Sequence, residues 1–133
     1  MSEPTSSSEP AFEQESEAYD LFQRGMRYLE QRHPAQAAML LRRALRLEPS
    51  KNSIREGLAQ AEYAMGKHEE AAALFTEMVG AAPDDDYGQY CLGRCLIALG
   101  RVEEARAHLR LARALKPGSP LYREQLEALD ADR

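Results

Sequence analysis

Cysteine is scarce: Cys91 and Cys95 are the only two in 133 residues. Two thiols make no disulfide framework of the kind that staples small secreted domains. Long apolar runs are missing as well. No stretch approaches the roughly 20 residues that cross a bilayer. The N-terminus lacks the basic segment and apolar run of a secretory signal. These absences lead us to expect a cytoplasmic protein that does not engage a membrane. Positive charge is not in excess either, with 17 Lys and Arg against 22 Asp and Glu. Five of those acids, Glu3, Glu9, Glu13, Glu15 and Glu17, lie in the first 17 residues, which hold no Lys or Arg. The remaining acids balance the bases, so the acidity belongs to a tail and the body is near neutral. Phosphate backbones select a net basic surface, which excludes nucleic acid as the default partner. Lysine itself is rare. Lys51, Lys67 and Lys116 leave 14 cations to Arg, which with abundant Ala suggests a GC-rich, bacterial coding sequence.

The constellations of catalysis are absent too. There is no nucleophile spaced with a base, no carboxylate pair that a cleft would bring together, and no glycine-rich phosphate loop. His33, His68 and His108 occur singly, at turn or exposed helical positions. We expect no enzyme and no cofactor. Cys91 and Cys95 share a helix face and could supply half of a zinc site, but no second half is spaced for it. The plainer role is packing, with Cys95 in the core and Cys91 at an edge. Asp84–Asp86 lack the spaced oxygens of a calcium loop and read as a cap for the next helix.

What is present is a repeat. "RHPAQAAMLLRRALRLEP" begins at Arg32, "GKHEEAAALFTEMVGAAP" at Gly66 and "GRVEEARAHLRLARALKP" at Gly100. Ala37, Ala71 and Ala105 keep step with Leu41, Phe75 and Leu109 and with Pro49, Pro83 and Pro117. The period is 34 residues, which is not a whole number of helical turns, so helical periodicity alone does not create it. Weaker half-phrases precede each: "LFQRGMRYLE", "IREGLAQAEYAMG" and "YGQYCLGRCLIALG". Each unit therefore reads as two helices of about a dozen residues joined by a short turn. Gly66 and Gly100 suit the left-handed conformation that stops a helix, and Pro34 suits a first helical position. "PSKNS" and "PDDD" offer capping oxygens. "GSPLYREQLEALD" adds a last helix with Tyr122, Leu126 and Leu129 inward and Arg123, Glu124, Glu127 and Asp130 outward, as a terminal cap requires. Residues 1–17, rich in Ser, Glu and Pro, are expected to be a mobile acidic tail, with Phe12 as its one large apolar group. The expected units are about 18–51, 52–85 and 86–119, with the capping helix at 120–130.

This pattern resembles the tetratricopeptide repeat family, whose 34-residue unit carries W-x2-L-G-x2-Y…A-x3-F…P. The first-helix half matches as Leu21, Gly25 and Tyr28 and as Leu92, Gly93 and Leu96, and more poorly as Leu58, Ala59 and Glu62. The resemblance covers residues 18–117 and the helix after them. It implies an all-α, right-handed superhelical solenoid of three helix-turn-helix repeats plus a capping helix. The chain departs from the pattern in having no Trp, in Arg24 where Leu is wanted and in Glu62 where Tyr is wanted. A charge in a packed seam is costly unless paired. Arg24 and Glu62 either approach each other or turn to solvent.

In the family, first helices line a concave groove that holds a partner's peptide or helix. By resemblance the groove residues here are Tyr19, Phe22, Met26, Gln60, Tyr63, Tyr87, Tyr90, Arg94 and Ile97, with Leu29 and Glu56 beside them. Aromatic groups with an Arg are good anchors for a peptide, although the same rings could serve only to complete the core. The expected function is protein–protein interaction. The alternatives are a structural, self-associating subunit, a secretion-type chaperone, or a groove occupied by Phe12 of the chain's own tail. One subset of the family grips the C-terminal carboxylate of heat-shock chaperones with a Lys/Asn/Arg clamp. The corresponding positions are Phe22, Met26, Gly57, Tyr87 and Cys91, none of them a cation or amide, so that clamp is not expected. Arg42, Arg43, Arg46, Arg106, Arg110 and Arg113 crowd the second helices and read as a solvated face rather than a phosphate site.

Overall fold

The computed structural model describes residues 8–131, which form seven helices and no strand. They are α1 (Ser8–Glu30), α2 (Pro34–Leu47), α3 (Asn52–Ala64), α4 (His68–Ala81), α5 (Asp86–Ala98), α6 (Val102–Leu115) and α7 (Pro120–Ala131). This is the all-α helical repeat expected from the phrase. The chain divides into two compact units at Met65/Gly66, giving α1–α3 and α4–α7.

In the first unit α1 packs on α2 and α2 on α3. Leu21, Leu40, Ala44 and Ile54 make a buried cluster against which Phe22, Tyr28, Leu45 and Leu47 lean. Small residues set the spacing. A Cβ at Gly25 would lie 2.7 Å from Leu41 Cγ, inside van der Waals contact. In the second unit α5 packs between α4 and α6, and α7 lies on α6. Its core includes Phe75, Met78, Cys95, Leu109 and the capping-helix face of Tyr122, Leu126 and Leu129.

The turns explain why the phrase is punctuated as it is. Gly66 and Gly100 take φ of 79° and 78°. Arg32, at the same position of the first repeat, takes φ of 65°. His33 N–H donates to Tyr28 O and Arg101 N–H to Leu96 O, each at 2.8 Å, the bond that closes a helix end over a left-handed residue. A side chain in that region is disfavoured by its Cβ. Arg32→Gly is therefore expected to stabilise the protein by about 0.5–1 kcal/mol, the gain being trimmed by the looser unfolded chain. Urea unfolding checks this as a higher midpoint at unchanged slope. No change or a loss would contradict it.

The capping expectation is met once. Asp85 Oδ1 accepts from Gly88 N–H at 3.0 Å. At α3 the cap is Lys51, with no side-chain bond, and Asn52 instead accepts from Arg55. Residues 8–17, read from the sequence as tail, are described as the first turns of α1, and residues 1–7 lie outside the described residues. Residues 11–17 are exposed throughout, so this extension is carried by propagation from the packed part of the helix. Phe12 is 72% exposed and is not docked in a groove.

Three charged positions, Glu62, Arg42 and Arg106, differ from their sequence reading because packing pairs them. Glu62 is buried but does not meet Arg24. Arg42 Nη2 donates to Glu62 Oε2 at 3.2 Å, so Arg42 is not simply a solvated cation. Arg24 is half-exposed and pairs along its own helix with Asp20 at 3.6 Å. Arg106 is also not solvated: it is 2% exposed and pairs with Glu103 at 3.3 Å and with Asp130 of α7. Asp130 is exposed, as expected of the outward face of α7, and from there it makes the α7 end of that link.

Candidate partner-binding faces

Tyr19, Phe22 and Met26 are spaced at i, i+3 and i+7 on α1 and share one face. Tyr19 is 65% exposed, while Phe22 and Met26 are half-buried. Phe22 leans on the Leu21–Ile54 cluster, so its position is set by the core. Beside it opens a cavity of about 260 Å³ lined by Glu15, Ala18, Tyr19, Phe22, Glu48 and Ile54, among others. Its floor is apolar, and its rim carries the Glu15 and Glu48 carboxylates and the Lys51 ammonium. Gly57 of α3 keeps this face closed lower down, because a Cβ there would come within 2.9 Å of Met26 Sδ. Gln60 and Tyr63 follow on α3, both half-buried. The Gln60 amide nitrogen donates to Glu56 Oε2 at 3.2 Å.

In the second unit Tyr87, Tyr90, Arg94 and Ile97 lie along α5. They are not equally available. Tyr87 and Ile97 are accessible, whereas Tyr90 is only 6% exposed. Its ring sits 5.8 Å from Tyr87 and 5.2 Å from Tyr122, with the Arg94 guanidinium 5.8 Å above it. Tyr90 is thus a packing residue that supports Tyr87 and Arg94. The Tyr122 hydroxyl donates to Asp86 Oδ2 at 2.5 Å. Burial, reinforced by that bond, holds its phenol protonated well above the usual range.

Cys91 and Cys95 are buried. Burial pushes the Cys95 thiol up to about 11, against the pull of Arg94. At neutral pH it is a small apolar filler and not a nucleophile. His108 is also not the exposed histidine of the sequence reading. Its Nδ1 lies 2.8 Å from Gln89 Oε1, whose amide nitrogen donates to Pro83 O at 3.0 Å. Since the Gln89 oxygen accepts, Nδ1 carries the proton, and burial favours the neutral ring. His108 joins Leu92, Leu96, Val79 and Arg101 around a second cavity of about 330 Å³, which the sequence did not announce. Among the described residues no three His, Cys, Asp or Glu side chains converge as a metal site. The arrangement offers rings, aliphatic walls and hydrogen bonds, and these suit binding.

Two family profiles, each described as tetratricopeptide repeat, match residues 22–86 and 62–129. No curated protein sequence matches the chain significantly. Solved structures do. The first repeat domain of Spaghetti (RPAP3), bound to the HSP90 peptide SRMEEVD, is 18% identical with a TM-score of 0.83, over 88% of this chain and 93% of that one. The Arabidopsis OM64 repeat domain is 16% identical with a TM-score of 0.85, over 90% and 99%. The second repeat domain of human RPAP3, in complex with the HSP70 peptide SGPTIEEVD, is 18% identical with a TM-score of 0.79, over 90% and 98%. With the 34-residue phrase, the helix pairs it encodes and the profile matches in agreement, the chain belongs to the tetratricopeptide repeat family.

Proposed function

We propose that the protein is a non-catalytic interaction module that holds a peptide or helix of a partner protein against its first-helix faces. The observation that carries this reading is the α1 row of Tyr19, Phe22 and Met26 beside an apolar-floored cavity of about 260 Å³. A cavity of that size admits one large apolar side chain of a partner, and the exposed Tyr19 ring covers it. Within the first unit, Gln60 of α3 offers its amide to a bound backbone; within the second, Tyr87, Arg94 and Ile97 of α5 offer a contact face of their own. That relatives in the fold are solved with bound peptides supports the reading. The working compartment we propose is the cytoplasm, and no helix among the described residues is long and apolar enough to cross a membrane.

The ligand differs from those acidic peptides. Phe22, Met26, Gly57, Tyr87 and Cys91 offer no cation or amide to a terminal carboxylate. A carboxylate placed there would lose its hydration without compensation. The test is a selection from a displayed peptide library, followed by calorimetry. Selected peptides are expected to carry an apolar anchor. Tyr19→Ala/Phe22→Ala is expected to weaken them about tenfold or more, roughly 1.4 kcal/mol, with an unchanged helical spectrum. The peptide SRMEEVD is expected to bind no better than about 1 mM. Equal binding by the double variant, or micromolar SRMEEVD binding lost on amidation, would overturn the proposal.

A further inference from the structure

The cavity of about 330 Å³ in the second unit is left out of the peptide-binding reading and shares no residue with it. On α4, Glu69, Ala73 and Thr76 stand at i, i+4 and i+7 and share the face that lines it. On α6, Glu104 and His108 stand at i and i+4 and line a second wall. The floor is apolar, with Val79, Leu92 and Leu96 all buried. An apolar floor with a few polar groups converging on it is the general form of a ligand site.

What those polar groups still offer is one-sided. Thr76 Oγ1 donates its proton to Ala72 O at 2.7 Å, which leaves the oxygen to accept. His108 Nδ1 donates to Gln89 Oε1 at 2.8 Å, which leaves Nε2 with a lone pair and no partner among the described residues. The Glu69 carboxylate is exposed and makes no ion pair or hydrogen bond among the described residues. Arg101 is the cation of the lining, and it is engaged. Its Nε and Nη2 donate to the two Glu104 oxygens at 2.8 and 3.0 Å. Arg101 also feels the Glu69 carboxylate, and His108 feels Glu104, so these four groups form one electrostatic neighbourhood. Arg101 and Glu104 cancel in formal charge, and the remaining negative charge belongs to Glu69. The lining is therefore rich in acceptors and short of donors.

We infer that this cavity takes a lysine side chain of a partner protein, its four methylenes on Val79, Leu92 and Leu96 and its ammonium donating to His108 Nε2 and the Glu69 carboxylate. The match is one of polarity and of charge. A lysine stem covers apolar surface while its head stays polar, and an ammonium brings three donors and no acceptor. Hydrogen bonds from a charged donor are the stronger kind. A guanidinium fits less well, because its planar fork asks for paired acceptors, and Arg101 already holds the Glu104 pair on this wall. A neutral apolar group would cover Nε2 and Glu69 without supplying a donor. Thr76, two turns or about 10 Å along α4 from Glu69, is left to accept from the partner's backbone.

The probe is the capped tripeptide acetyl-Gly-Lys-Gly-amide, titrated into the isotope-labelled full chain and followed by NMR at about pH 7.5, where the His108 ring is neutral, as its burial favours. Saturable shifts are expected at the amides of Ala73, Thr76 and His108, with a Kd on the order of 1 mM. The His108 Nε2 resonance is expected to move with them, because its lone pair gains a donor. The same tripeptide with acetyl-lysine keeps the stem and loses the charge. It is expected to bind at least about tenfold more weakly. Glu69→Gln, at an exposed position, is expected to weaken the lysine probe by about the same factor with an unchanged helical spectrum. Tyr19→Ala/Phe22→Ala is expected to bind the probe as the wild type does, so this site and the peptide face fail separately. Shifts that do not saturate, equal binding of the acetyl-lysine peptide, equal binding by Glu69→Gln, or a loss in the Tyr19/Phe22 variant would each overturn the inference.

Discussion

Leu109→Ala is expected to lower the unfolding free energy by about 3–4 kcal/mol, because Leu109 is fully buried and its removal leaves a hole in the α5–α6 seam. The more telling result concerns its partner. A Cβ at Gly93 would lie 2.8 Å from Leu109 Cγ and 3.0 Å from its Cδ2. Gly93→Ala alone sets about 1 kcal/mol of helix propensity against an overpacking cost of about 1–3 kcal/mol. A net loss of about 1 kcal/mol is expected. In the double variant the clash disappears, the propensity gain remains, and the new methyl fills part of the hole. Gly93→Ala should then stabilise the Leu109→Ala background. The signs therefore cross, with a coupling of about 1–2 kcal/mol measured by a double-mutant cycle in urea. Additive effects would show that Leu109 does not hold the seam at its present spacing. Gly25 and Leu41 stand in the same geometry at 2.7 and 3.0 Å in the first unit, and the same cycle there is expected to give the same signs.

That recurrence shows why the fold was legible. Gly25 with Leu41 and Gly93 with Leu109 are one steric solution written twice, and the 34-residue phrase records it. The turn residues and the inward face of α7 were legible for the same reason: each is a local constraint on backbone or packing. The unread parts are side chains that reach across helices. Tyr122 bonding Asp86, His108 bonding Gln89 and Arg42 bonding Glu62 join residues whose distance depends on helix packing. Composition and periodicity carry no such information. Charge also misled. A cation on a second helix reads as solvated, yet Ala38 and Ala72 hold the position of Arg106 in the earlier repeats, and both are buried. The repeat register pointed to burial at Arg106 where residue type pointed to solvent. Among the residues proposed for the site, Tyr19 is exposed and Phe22 half-buried, whereas Tyr90 is buried against Tyr122, a ring contributed from beyond the third repeat.

Arg106 makes the last expectation specific. A guanidinium at 2% exposure has lost its hydration, and what compensates is the pairing with Glu103 and with Asp130 at the far end of α7. Asp130 is itself 56% exposed, so the two partners are not equivalent. Removing the carboxylate strands a buried charge, whereas removing the guanidinium returns a carboxylate to water. Asp130→Ala is therefore expected to cost about 2 kcal/mol, below the roughly 3–5 of a fully buried pair because Glu103 remains. Arg106→Met, which keeps length and apolar contact without a charge to desolvate, is expected to fall within about 1 kcal/mol of the wild type. In the double variant the loss seen for Asp130→Ala should vanish, since no charge is left to strand. Urea unfolding of the four proteins decides this. If Asp130→Ala costs no more than Arg106→Met, the bond between them is incidental and α7 is held by Tyr122, Leu126 and Leu129 alone. If the expected order holds, the chain uses a buried cation to bind its capping helix where the earlier repeats, with Ala38 and Ala72 in that place, bring a neighbouring helix close by being small.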